Sequence, residues 1–107
     1  MALPTDGKLV RDLIPQIILD SGKVPVTCSV SGDDLLLALK QKALEESHEF
    51  ATASPETVLE EVADVLEVLR SFVIHFGSSW EFVLELANAK RDQRGGFDEG
   101  IWLLSTK

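Results

Sequence analysis

Two long stretches of this chain repeat hydrophobic residues at three- and four-residue spacing, and each predicts a helix. In the first, over residues 35–51, Leu35, Leu36, Leu39, Ala43 and Phe50 fall on one stripe when positions are set about 100° apart. Glu46 falls inside that stripe, between Leu39 and Phe50, while Glu49 and Glu45 lie progressively toward its edge. In the second, over residues 55–76, Val58, Val62, Val65, Leu69, Phe72 and Phe76 mark one face. Leu59, Leu66 and Val73 widen it, and Val68 and Ile74 add apolar area elsewhere. A face this broad exceeds what the partner helices of one small domain cover. It predicts burial in a bundle that includes another chain. The polar side holds Glu60, Asp64, Glu67 and Ser71, with Glu61 at the border.

Shorter elements fill the rest. Residues 1–7 read as a flexible tail. Asp12 and Pro15 signal a short helix over 15–20, apolar through Ile17, Ile18 and Leu19 and ended by Ser21-Gly22. Residues 23–31 (KVPVTCSVS) are β-branched and alternate, which predicts a short strand; Pro25 confines it to an edge or a strand start. Gly32-Asp33-Asp34 predicts a turn that caps the 35–51 helix, and Ser54-Pro55 opens the long one. Gly77 ends that helix, and Ser78 or Ser79 caps a fourth over 80–92, with Trp80, Val83, Leu84 and Ala87 as core. Gly95-Gly96 stops it. Residues 101–105 (IWLLS) predict a second strand, the natural partner of Val24 to Val30. The expectation is a mainly α fold, one domain over residues 1–107, with a small two-stranded β element.

Composition narrows the function. A formal net charge of −8 excludes a nucleic-acid-wrapping surface, which needs clustered Lys and Arg. The single Cys28 excludes an intramolecular disulfide and reads as strand packing in a reducing compartment. The N-terminus lacks the apolar core of a signal peptide, and no apolar run approaches the roughly 20 residues of a membrane span. A soluble cytoplasmic protein is expected.

The chemistry concentrates in Glu45 to Asp64. Glu45-Glu46 with Glu49, and Glu60-Glu61 with Asp64, place their key acids three residues apart, hence on one helix face. The short connector turns the two helices antiparallel and brings the couplets level, giving a four-carboxylate cup. Glu46 has a competing reading, an ion pair with Lys42 four residues earlier on a solvated face. A carboxylate centred in an apolar stripe is costly without a cation, which favours the cup. Four close carboxylates do not all stay ionised uncompensated. Oxygen-only ligands favour Mg²⁺ or Mn²⁺ over Zn²⁺. Mg²⁺ commonly shares its coordination sphere with phosphates, and Lys8, Arg11, Lys90 and Arg94 are separate cations, so the combination suggests metal plus polyphosphate. The basic cluster Lys90, Arg91 and Arg94 also fits ordinary cation placement at a helix C-terminus, as does His75. No Gly-rich phosphate loop, zinc-type cluster or Ser/His/Asp constellation is visible.

The pattern Glu45-Glu46-Ser47-His48-Glu49, a connector over 50–60, then Glu61-Val62-Ala63-Asp64 resembles the signature of the MazG-like all-α nucleoside triphosphate pyrophosphohydrolases. Asn88-Ala89-Lys90 followed by Arg94 is similar to the family's downstream element. Lys8 to Pro15 (KLVRDLIP) resembles the opening motif of a compact subgroup described as phosphoribosyl-ATP pyrophosphohydrolase-like, and Arg94-Gly95-Gly96-Phe97 its closing motif. The resemblance implies a helical bundle completed by homo-oligomerisation, as a dimer or dimer of dimers. It implies Mg²⁺-dependent hydrolysis of a nucleoside triphosphate, such as a dNTP, between the α and β phosphates. Glu46, Glu49, Glu61 and Asp64 would hold metal, with Glu45 an acid that steadies a ligand or orients water. Lys90 and Arg94 would contact phosphates and Asn88 substrate; Lys8 and Arg11 are phosphate contacts or structural. Trp80, Trp102 and Phe97 are candidates for stacking on a base and equally for packing. Two alternatives stand: hydrolysis of phosphoribosyl-ATP, and a catalytically silent helical oligomerisation or regulatory module.

Overall fold

The computed structural model describes residues 3–107 and is mainly helical. The helices are α1 (Ile14–Asp20), α2 (Gly32–Thr52), α3 (Val58–His75) and α4 (Trp80–Arg94). The two expected long helices become α2 and α3, and the connector of residues 53–57 folds them into a hairpin that holds most of the packing. Ala38, Leu39 and Glu46 are its buried residues. Lys40 reaches from α2 over the Phe72 ring of α3, 5.8 Å from its centroid. α4 packs sparsely on α3 and not on α2, and Trp80 and Val83 are its half-buried residues.

Local chemistry sets the helix ends. α2 begins at Gly32, three residues before the expected start, because Ser31 is already extended and serves as the N-cap residue. Asp33 and Asp34 then fall in the first turn, where the helix dipole favours negative charge. α3 begins at Val58 and not at Pro55: residues 55–57 form a turn, with the Ser54 carbonyl accepting from both Thr57 and Val58. α3 ends in a Schellman motif, with Gly77 N–H donating to Ile74 and Ser78 N–H to Val73, and Gly77 at φ 96°. The Ser79 hydroxyl accepts from Phe82 N–H at 3.1 Å and caps α4, which runs two residues past its expected end to Arg94.

The two-stranded element is a correction. Among the described residues there is no strand. Residues 23–31 and 101–105 are irregular, and Val26 is 98% exposed. β-propensity acts through cross-strand neighbours, and neither segment has one here; Pro25 also removes a donor. Cys28 is accordingly exposed and not packed in a strand. Residues 3–7 carry no helix or strand, and the first two residues of the expected tail lie outside the described ones.

The chain is open. Its accessible surface is 9243 Å², against about 5,900 Å² for a compact monomer of this mass. Its radius of gyration is 17.8 Å, against about 13 Å for a compact domain of this length. Among the described residues no side chain is fully buried, and Leu59, Val62, Leu66, Leu69 and Phe76 of the long apolar face remain exposed. No helix of the described residues is long and apolar enough to cross a membrane.

Candidate metal centre

α2 presents Glu46 and α3 presents Glu61 and Asp64 to a common point. One carboxylate oxygen from each lies within 4.8 Å of the others. Glu46 is only 8% exposed, as its place between Leu39 and Phe50 on the apolar stripe predicts. Glu61 stands in the first turn of α3, so the N-terminal dipole of that helix also faces the cluster.

The two oxygens of Glu46 differ: the Lys42 ion pair forms, but on a buried residue and not on a solvated face. Oε1 lies 3.4 Å from Lys42 Nζ, the i−4 partner. Oε2 is enclosed by protein with no hydrogen-bond partner among the described residues, and Glu61 Oε2 shares that condition. Buried polar atoms are nearly always satisfied, and an unpaired buried carboxylate oxygen is costly. Two such atoms beside Asp64 therefore fit a hard divalent cation, whose oxygen ligands lie about 2.1–2.6 Å from it.

Cations of the same chain pair with carboxylates in and beside the cluster. Arg11 Nη2 donates to Asp64 Oδ1 at 2.7 Å. Lys8 Nζ lies 3.7 Å from Glu45 Oε1, and Lys42 Nζ 3.1 Å from Glu45 Oε2. The segment before α1 is thus drawn across the hairpin by ion pairs. Lys42 is the residue sequence reasoning undervalued: it bridges Glu45 and Glu46 within the site, and its i+3 and i+4 spacing was the available signal.

Electrostatics follow from this crowding. Burial pushes the Glu61 carboxyl above its ordinary value, and the charges of Glu49, Asp64, Glu46 and Glu60 push it the same way. Burial works against the Lys42 charge, but the hydrogen bonds and charges of Glu45 and Glu46 outweigh it and raise its pKa.

The remaining expected site residues stand apart. Glu49 is exposed and outside the 4.8 Å set, although its charge is the largest of those acting on Glu61. Among the described residues Glu45 joins the cluster through Lys42. Asn88, Lys90 and Arg94 are exposed on α4 and make no ion pair or hydrogen bond with the acids among the described residues. Comparison with protein-family models, curated proteins and solved structures finds no match to this chain.

Proposed function

We propose that this chain is a Mg²⁺-dependent nucleoside triphosphate pyrophosphohydrolase of the MazG-like type, cleaving between the α and β phosphates to give a monophosphate and pyrophosphate. The observation that carries this reading is the pair of enclosed, unpartnered oxygens of Glu46 and Glu61 beside Asp64. Glu46, Glu61 and Asp64 hold the metal, with Glu49 as a ligand from the rim. The bound cation supplies charge neutralisation for phosphoryl oxygens and a lowered pKa for a coordinated water. Lys42 holds Glu45 and one oxygen of Glu46 in place, and Arg11 does the same for Asp64. On this reading Lys8 and Arg11 position acids, and Lys90 and Arg94, which make no ion pair among the described residues, remain with Asn88 for the polyphosphate. The protein works as a homo-oligomer in the cytoplasm, removing surplus or non-standard nucleotides, dNTPs among them.

One observation favours a second reading. Lys8, Arg11 and Lys42 already neutralise part of the cluster, as a silent helical oligomerisation module would require. The test is pyrophosphate release from a panel of nucleoside triphosphates, with phosphoribosyl-ATP included, in the presence of Mg²⁺. Turnover that Glu46→Gln reduces at least 100-fold is expected. Wild type and Glu46→Gln equally inert on every compound would sink the enzymatic reading.

A further inference from the structure

A highly exposed apolar segment follows α4. Phe97 shows 97% of its surface, and among Ile101, Trp102, Leu103 and Leu104 even the least exposed, Leu103, shows 74%. Residues 101–107 carry no helix or strand, so this arm packs on little of its own chain. The same chain leaves an apolar groove between α2 and α3. It consists of two adjoining hollows of about 210 and 320 Å³ that share Leu69, and its walls include Leu39, Ala43, Phe50, Val65 and Phe72.

We infer that the C-terminal arm of one copy lies in the α2–α3 groove of a second copy, so that two chains exchange their ends. This deepens the homo-oligomer of the proposed function and rests on that part of it. Area argues for a second copy. The surface in excess of a compact monomer is about 3,300 Å² per chain, hence about 6,600 Å² for two copies, ample for the roughly 2,000–5,000 Å² in total that obligate dimers bury. Connectivity argues for exchange over folding back: α4 packs on no part of α2, no arm residue lines either hollow, and the arm's apolar side chains stay exposed.

Charge argues for the orientation. Each chain carries −8, so two acid-rich hairpins repel one another face to face. Residues 45–64 contain seven acids and no Lys or Arg, and the larger hollow, walled by Phe50 and Val62, lies along this run. The arm is preceded by Lys90, Arg91 and Arg94. Seating it brings this basic helix end against the second copy's acids and delivers Lys90 and Arg94 to a centre that its own chain leaves without them.

The test is sedimentation velocity of the full chain at micromolar concentration, beside an Ile101→Asp/Leu104→Asp double variant, with helix content followed by circular dichroism. Wild type sediments as a dimer or larger, and the variant as a monomer with unchanged helix content. In parallel, benzoylphenylalanine at position 102 is photo-cross-linked in a mixture of ¹⁴N and ¹⁵N chains. Cross-links to α2 or α3 that join light to heavy copies are expected. A monomeric wild type, an oligomer that survives the double substitution, or cross-links confined within single chains would overturn the exchange. None of these readouts uses nucleotide turnover, so a failed substrate panel leaves the exchange standing, and a failed exchange leaves the metal centre to be judged by that panel.

Discussion

Glu46 has one oxygen held by Lys42 and one enclosed without a donor, and that asymmetry determines how the residue responds to change. A cation bound at the second oxygen stabilises the folded chain by mass action. At 100 times its dissociation constant this is worth about 2.7 kcal/mol, or roughly 10 °C or more in melting temperature. Glu46→Gln keeps the shape and the contact with Lys42 but loses the charge, so most of the Mg²⁺-induced rise disappears; thermal melts with Mg²⁺ and with chelator measure it. Glu61 responds to pH. Its folded-state pKa lies above its ordinary value of 4.5. The associated stability is complete below that value and is lost as pH rises through the folded-state pKa. Glu61→Gln removes the loss, so at neutral pH, without metal, the variant melts higher than wild type, and the difference shrinks on acidification. Equal slopes for the two proteins would contradict the crowding. Glu46 was legible because a helical period placed it among leucines. The Arg11–Asp64 pair was not: its partners are 53 residues apart, and only the path of the N-terminal segment joins them.

At the scale of elements, helices were read from periodicity and their ends from caps, and the two signals differ in kind. Gly77 and Gly95 marked helix ends because left-handed backbone favours glycine, with φ of 96° and 82°. A Cβ on Gly77 would meet nothing within 4 Å. Gly77→Ala therefore costs only the backbone term, about 1–2 kcal/mol, and lowers the melting temperature without changing the helix content of the folded protein. A larger loss would mean that the α3–α4 turn packs against something. Strand propensity carried less information. Residues 23–31 and 101–105 have the composition of strands, but a strand exists only through its neighbour, and no pairing occurs among the described residues. Helical hydrogen bonds close within four residues; ladder bonds do not, so composition alone could not locate the partner.

At the scale of the whole molecule, the breadth of the apolar face on residues 55–76 announced a chain that does not close on itself, and Leu59, Leu66 and Ile74 stay exposed on α3. The openness has a further consequence for how the site is assembled in time. The α2–α3 hairpin is built from contacts across a five-residue connector, whereas Arg11 must return over 53 residues to reach Asp64. Short loops close first, and long-range contacts come after their entropy cost has been met. The acids are therefore brought together early in folding, and the N-terminal segment latches onto them late. Arg11→Ala should leave the refolding rate of the metal-free chain nearly unchanged and speed unfolding by up to about fivefold, the effect of an exposed pair worth at most about 1 kcal/mol. Stopped-flow refolding and unfolding measure both arms, and a slowed refolding arm would place the latch in the folding nucleus. The order of events thus makes the carboxylate cup a folding product of the hairpin alone, and the N-terminal cations a later clasp upon it.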